Sequence, residues 1–413
     1  MKIYFIQSTP YAADGALVKK SRLYFVGLAP AILASLVPDG DAFEVCLETI
    51  EDVDFSTDAD IIAISGMGHA MVRSVEIAKK FKKLGKTVVM GGYMASLMPE
   101  EAKKHCDSVV IGDGEASFVQ LIFDYKNSCL KEYYNVPIEK LSYPLPRYDI
   151  LTNKKIGDFL PVQAGRGCPN SCSFCSVYCL YRNKYLKRDI EEVIRDIKEI
   201  KRLGYKKFLL LDDNILSDKQ YLLEVCERIT GLRMKWLSQC QVTIADDSEI
   251  LKAVAKSGCI ALSFGLESIS QESLVSMQKG WAKAERYGEQ LKKITAAGID
   301  VSVEMVVGAD GDTLQSITET AGFIRRNKIV VPRFYILTPI PGTDFFNEMI
   351  AQKRVENRDI YSFDGATAVH TPQNMSSAEL TKAYWKLYED VFSIRSIFLR
   401  TVFRGGFFKN PAK

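Results

Sequence analysis

Residues 161–175 read PVQAGRGCPNSCSFC. An apolar stretch of strand length runs into Gly165 and Gly167, which permit a sharp turn, and then into Cys168, Cys172 and Cys175, spaced C-x-x-x-C-x-x-C. A [4Fe–4S] cube is held by thiolates at spacings that one loop can wrap around it. With three thiolates the fourth iron stays open, and an open coordination position is what a small-molecule ligand needs. Pro169 stiffens the loop, and Phe174 can cover a cluster from water. Two other metal readings fit less well. A structural zinc site takes four ligands, usually as two C-x-x-C pairs, and the sequence has no second pair. A ferredoxin needs a fourth cysteine, which Cys179 could supply, but ferredoxin folds are far smaller than 413 residues. Cys179 stays ambiguous. Cys46, Cys106, Cys129, Cys226, Cys240 and Cys259 lie in or near apolar stretches and are expected to be buried small hydrophobes.

Downstream of the cysteines, strand-like and helix-like patterns alternate. A charged helix over 189–203 precedes KKFLLLDD (206–213), and further helices over 218–229, 247–256, 281–297 and 313–327 separate KWLSQCQV (235–242), ALSFGLES (261–268), DVSVEMVVG (300–308) and RFYILTPIPGT (333–343). With the strand before the cysteines this makes six strands and about five helices. Six units cannot close an eight-stranded barrel, so a partial (β/α)6 barrel is expected over 156–350. The cysteine loop then follows its first strand, on the face where barrel active sites assemble.

Upstream, short and almost wholly apolar strands alternate with helices: KIYFIQ (2–7), FEVCLETI (43–50), DIIAIS (60–65), KTVVMGG (86–92) and SVVIGDGE (108–115), with helical stretches at 28–36 and 70–84. Such strands indicate a parallel sheet covered on both faces, so 1–125 reads as a doubly wound, Rossmann-like α/β domain. Ligands in that fold lie beyond the C-terminal strand ends. Three ends carry glycine there: Ser65-Gly66-Met67-Gly68, Gly91-Gly92 and Gly112-Asp113-Gly114-Glu115. One such end alone is best read as a tight turn; three together suggest a pocket. A linker is placed at 126–155, punctuated by the Tyr143-Pro144-Leu145-Pro146 stretch. A small C-terminal region, 351–413, holds a helix over 377–392 and a tail, 394–413, with five Lys or Arg and no acid. That tail reads either as a solvated arm or as a contact for anionic lipid or substrate.

Composition bounds the rest. A formal net charge of +3 gives no global reason to expect nucleic acid as a partner. Ten cysteines with no secretory leader suit a reducing compartment, so a cytoplasmic location is expected. The longest apolar run, 25–37, falls short of the roughly 20 residues that cross a bilayer, and no transmembrane helix is expected.

The stretch from Gly165 to Cys175 resembles the cluster loop of the radical S-adenosylmethionine (SAM) enzymes. In that family SAM chelates the fourth iron through its amino and carboxylate groups, and its reductive cleavage gives a 5′-deoxyadenosyl radical. The resemblance continues along the later strands. Phe208 to Asn214 is similar to the second-strand segment that approaches the methionine moiety, which makes Asp213, with Asn214 beside it, the implied amine contact. Phe264 to Ser268 resembles the fourth-strand element, with Glu267 and Ser268 implied at the ribose. Glu304 to Gly308 and Leu337 to Thr343 are similar to the fifth and sixth strands. As single residues, these polar groups could equally cap the helices that follow.

Gly91 to Glu101 and Asp107 to Glu115 resemble the cobalamin-binding domain that precedes the barrel in one large subgroup. This implies a corrinoid beside Ser65, Gly66, Gly91, Gly92, Gly112, Gly114 and Glu115. The D-x-H-x-x-G element of many cobalamin proteins is missing; the only histidines are His69, His105 and His370, and His69 is the one at a strand end. The segment from Tyr361 to Arg400 is more weakly similar to the C-terminal domain of hopanoid C-methylase relatives. The resemblance thus implies a cobalamin-dependent radical SAM methyltransferase acting at an unactivated carbon of a small molecule or lipid, fed by an external electron donor such as flavodoxin or ferredoxin. Cyclisation, rearrangement or methylthio transfer is the alternative chemistry. A non-catalytic corrinoid or iron–sulfur binding protein is the alternative class. No catalytic residue is named, and the substrate is not legible.

Overall fold

The computed structural model describes residues 1–12, 14–359 and 362–401. Tyr361 and the part of the basic tail beyond Thr401 lie outside the described residues. The chain folds as two compact units, residues 1–166 with 186–211 and residues 167–185 with 212–413.

The first unit is built on a parallel sheet with the strands Ala42–Leu47, Lys2–Gln7, Ile61–Ser65, Thr87–Gly91, Ser108–Val110 and Tyr133–Tyr134 side by side in that order. The register pairs Ile3 with both Phe43 and Ile61, and Ser65 with Gly91. Near-continuous burial along Lys2–Gln7 and Ile61–Ser65 explains why these strands show no polar alternation. On one face the helix Met71–Lys83 sets Met71, Val75, Ala78 and Phe81 into the core, one helical turn apart, against Ile62, Ile64 and Val88. Lys80, Lys82 and Lys83 in its last turn face the negative end of its dipole. The strand order reverses between Lys2–Gln7 and Ile61–Ser65, the position at which doubly wound sheets bind ligands.

The segment expected as a linker is packed. Tyr133–Tyr134 extends the sheet, Leu141, Tyr143, Tyr148 and Leu151 are buried, and the Tyr148 hydroxyl donates to the Pro161 carbonyl at 2.9 Å. Pro144 and Pro146 punctuate the segment as a linker, but its aromatic rings serve as core. The unit also contains the parallel strands Ile156–Gln163 and Lys207–Leu211 and the helix Ile190–Arg202 between them. Asp189 caps that helix by accepting the Glu191 N–H, while Val193, Ile194, Ile197 and Ile200 form its buried stripe. A short strand not foreseen from the sequence, Leu23–Phe25, pairs with Ile156–Gln163.

The second unit continues the β/α alternation. Its parallel strands are Lys235–Cys240, Cys259–Glu267, Asp300–Val307 and Val331–Ile336. The helices Lys219–Thr230, Ser248–Lys256, Tyr287–Ala296 and Leu314–Arg326 alternate with them, joined by the short Gln271–Ser276. Burial alternates along each strand, so one face packs and the other stays open. The helix Ser377–Phe392 has the bounds read from the sequence and begins with a Ser376–Glu379 capping box.

Candidate active site

The cysteine loop leaves the end of the Gly165–Gly167 strand through a turn that only glycine allows. Gly167 has φ of +87°, and a Cβ there would lie 2.1 Å from the Lys184 carbonyl oxygen. Its N–H donates to Asp213 Oδ2 at 2.6 Å, so the carboxylate expected at the methionine amine also braces the loop. Further on, Ser173 N donates to the Met277 carbonyl at 3.2 Å and Phe345 N to the Ser173 carbonyl at 2.9 Å. Cys172 is buried, and Cys168 and Cys175 are partly exposed.

Burial raises the pKa of all three thiols, to about 11 for Cys172. Three features favour their charged forms against that burial. Asn214 and the Asn170 backbone help Cys168, the Val177 and Tyr178 N–H groups help Cys175, and the Lys279 ammonium helps Cys172 and Cys168. Among the described residues no three His, Cys, Asp or Glu side chains converge on a point that suits one metal ion. Thiolates on separate corners of a cube need no such convergence. Ser173 Oγ is buried in the same loop with no hydrogen-bond partner among the described residues, an orphaned donor where a cluster sulfide would accept. The loop therefore fits a [4Fe–4S] group. Cys179 stands apart, because its thiol donates to the Gly342 carbonyl at 2.8 Å and burial keeps its proton on.

The strand-end carboxylates are all engaged. Asn214 Oδ1 accepts from Leu216 N at 3.3 Å and from Gln241 N at 3.2 Å, and its amide lies 4.0 Å from Cys168 Sγ. Glu267 ends its strand at a register shift with φ of +61°, a conformation costly for a side chain of that kind. It is ion-paired with Lys279 at 2.7 Å, and Lys279 Nζ also donates to the Gly265 carbonyl at 2.9 Å. Burial opposes the Lys279 charge, but Glu267 and the thiols of Cys172 and Cys175 outweigh it and raise the pKa. Ser268 points instead to Asp312, which also takes the Ser273 hydroxyl and the Gly308 and Ala309 N–H groups.

Lys279 was not foreseen. The available signal was Glu267 itself, since a carboxylate at a buried strand end needs a cation, and Lys279 ends the Met277-Gln278-Lys279-Gly280 turn just beyond. Asp212 was missed too. It is fully enclosed, accepts the Tyr185 hydroxyl at 2.7 Å and the Asn214 N–H at 2.9 Å, and is pushed up to about 7 by burial. A carboxyl whose folded pKa exceeds its unfolded value destabilises as pH rises from about 4 to about 7, and the full cost is present above that window. Asp212→Asn is expected to flatten the pH dependence of stability across this window and to gain most at pH 8, as read by denaturant melts at pH 5 and pH 8. An unchanged slope would remove Asp212 as its source.

In the first unit Ser65, Gly66, Gly91, Gly92 and Gly112 lie on one edge of the sheet, at the ends of adjacent strands. Serine hydroxyls crowd Gly66 and Gly92 and leave no room for a side chain. A Cβ on Gly66 would sit 2.4 Å from Ser74 Oγ, and one on Gly92, where φ is +92°, 2.6 Å from Ser65 Oγ. Gly112 also has positive φ, and its N–H donates to Ser96 Oγ at 2.8 Å. Gly114 opens the helix Gly114–Lys126, whose first N–H groups have no partner within the helix. This rim of glycines and small serines fits a large flat ligand. Glu115 is turned away from it: Arg166, two residues before Cys168, pairs with Glu115 and Asp113 at 2.6 Å each. Burial raises the Glu115 pKa and Arg166 more than reverses that shift. Nothing local in the sequence marks Arg166, because its partners lie about fifty residues upstream. Glu115→Gln is expected to cost about 1–2 kcal/mol, seen as a lower denaturation midpoint with an unchanged slope.

His69 is half-exposed in the turn after Ile61–Ser65; His105 lies 3.6 Å from Glu101, and His370 is buried against Phe345 and Gly308. Cys129 corrects an expectation: it is exposed, because it falls in the turn after Gly114–Lys126, where Ser128 adopts positive φ. Cys46, Cys106, Cys226, Cys240 and Cys259 are buried as expected.

Two family models match the chain: the radical SAM superfamily over residues 162–324 and the B12 binding domain over residues 38–122. The chain thus carries a radical SAM domain and a B12-binding domain. Its cofactors are accordingly a [4Fe–4S] cluster, SAM and cobalamin. The radical SAM chain is 29% identical over 350 residues to a bacteriochlorophyllide d C-12(1)-methyltransferase of Chlorobaculum tepidum, covering 83% of this chain and 76% of that one. It is 22% identical to the hopanoid C-2 methylase of Rhodopseudomonas palustris, over 79% of this chain and 65% of that one. A solved structure of the radical SAM methyltransferase TsrM from Kitasatospora setae, with cobalamin and a [4Fe–4S] cluster bound, superposes with a TM-score of 0.70 at 16% identity, over 93% of this chain and 85% of that one. The fold is thus a B12-binding α/β domain followed by a radical SAM half-barrel, as the alternation of strands and helices implied.

Proposed function

We propose that this radical SAM enzyme transfers a methyl group to an unactivated carbon of a small molecule or lipid. Cys168, Cys172 and Cys175 hold the cluster on this reading. Asp213 and Asn214 meet the methionine part of SAM, and Glu267 its ribose. Ser65, Gly66, Gly91, Gly92, Gly112 and Gly114 cradle the corrinoid. When bound, the cluster and SAM supply a 5′-deoxyadenosyl radical and the corrinoid a methyl carrier. The chain's own part is to hold, neutralise and shield. Asp213 fixes the turn into the cysteine loop through Gly167 N, Lys279 offsets the thiolate charge, and Phe174 keeps water off.

The observation that carries the proposal is the joint presence of the braced three-thiol loop and the glycine-rich rim of the B12-binding domain in one chain. Both relatives described above are named for methyl transfer, one to bacteriochlorophyllide d and one to a hopanoid. A polar set on the open face of the second unit's strands suits the recognition of a substrate's polar groups: Arg333 reaches Glu304 at 3.1 Å and Ser263 Oγ at 3.0 Å. The reading places the enzyme in the cytoplasm, with electrons from a flavodoxin or ferredoxin, and gives the C-terminal segment a peripheral contact with a membrane. Anaerobic turnover with methyl-labelled SAM tests the chemistry. Methyl transfer yields S-adenosylhomocysteine and 5′-deoxyadenosine together, with label in the product. Cyclisation or rearrangement yields 5′-deoxyadenosine alone and would displace the proposal.

A further inference from the structure

The last described helix, Ile394–Thr401, is amphipathic the wrong way round for a water-facing surface. Its polar residues Ser396 and Arg400, one turn apart, are each 2% exposed, whereas Ile394 is 89%, Phe398 53%, Ile397 40% and Leu399 40% exposed. The orientation is fixed from inside. The Arg400 guanidinium donates to the carbonyls of Ile329 at 2.6 Å, Val391 at 2.8 Å and Ser396 at 3.3 Å, and lies 5.8 Å from the Phe392 ring centre. A helix end frayed into solvent would not keep an arginine on main-chain acceptors, so the apolar face is presented by construction. Four neighbouring aliphatic and aromatic side chains held outward exceed the scattered single hydrophobes that soluble surfaces normally show.

Charge names the partner. Asp390 is the last acidic residue of the sequence; of the five Lys or Arg after it, Arg400 is held on main-chain carbonyls. Arg395 is exposed within the apolar face itself. The preceding helix also exposes Trp385 and Tyr388, residue types that favour the boundary between lipid and water. No helix among the described residues is long and apolar enough to cross a membrane, so any contact of this face with a bilayer is peripheral. We infer that the outward face of Ile394–Thr401 docks the enzyme on an anionic phospholipid bilayer, with Ile394, Ile397, Phe398 and Leu399 entering the interface and Arg395 meeting lipid phosphates. The inference specifies the C-terminal contact of the proposed function and is independent of the methyl transfer. An active methyltransferase that ignores vesicles removes only the docking, and a vesicle-bound protein that makes no methylated product removes only the chemistry.

The test is sedimentation of the anaerobically purified full chain with vesicles of phosphatidylcholine alone or with 30 mol% phosphatidylglycerol. Binding is expected to the anionic vesicles, to weaken as salt rises, and to fall at least tenfold in the Ile394→Glu/Phe398→Glu variant. Arg395→Glu, which leaves the apolar face whole and is the milder change to the fold, is expected to weaken binding severalfold. Melting temperature and cluster absorbance, checked in each variant, are expected to match the parent. Absence of binding to anionic vesicles overturns the inference, as does equal binding to both vesicle types. So does an oligomer in the parent protein that the double variant dissociates without any vesicle binding, because the face then joins two copies of the chain.

Discussion

Replacing Cys168, Cys172 and Cys175 singly by alanine is expected to remove the cubane absorbance near 400 nm and to lower 5′-deoxyadenosine formation at least a thousandfold, while Cys179→Ala leaves both largely intact. Each of the three thiols sits in a loop fixed at several points, through Gly167 N on Asp213, Ser173 N on Met277 and Phe345 N on Ser173. A missing thiol therefore cannot be replaced by a shift of the backbone. Cys179 faces the Gly342 carbonyl and is held as a protonated thiol. Iron content and sulfide content per chain, measured with the optical spectrum, separate a lost cluster from a lost fold. Retention of a full cluster in any of the three single variants would show that another residue closes the site.

The second large effect concerns Glu267 and Lys279. Their side chains are 11% and 8% exposed and meet at 2.7 Å, so removal of one partner strands a charge away from water. Lys279→Met is expected to destabilise the protein by about 3–5 kcal/mol. Because the loss comes mainly from the stranded carboxylate, Lys279→Met combined with Glu267→Gln is expected to recover most of it, leaving roughly 1 kcal/mol. Denaturant melts of the cluster-free chain in reductant give both values, and additive losses would contradict the ion-pair account. In the loaded protein Lys279→Met is also expected to weaken cluster retention, since Cys172 and Cys168 lose a cation that lowers their pKa.

The sequence made the backbone plan legible and left the electrostatics hidden, for a physical reason. Strand and helix periods, glycine turns and cysteine spacing are local properties, so the parallel strands, the half-barrel series and the helix Ser377–Phe392 could be read along the chain. Ion pairs across folded segments are not local. Glu267 and Lys279 are separated by a helix, and Arg166 lies more than fifty residues from Asp113, so their partnership appears only once the chain is folded. The packed 126–155 segment was obscured by Pro144 and Pro146, whose effect on the backbone is plain while the burial of Tyr143 and Tyr148 is not. Ser268, legible as a ligand contact from the family pattern, spends its hydroxyl on Asp312.

The account depends on a cluster in which one iron differs from the other three. Mössbauer spectra of anaerobically prepared, iron-57-loaded protein measure that difference directly. Addition of SAM is expected to shift one quarter of the iron signal to a higher isomer shift, as nitrogen and oxygen ligands join that iron, and to leave the remainder unchanged. A spectrum with four equivalent irons that SAM does not alter would contradict the account.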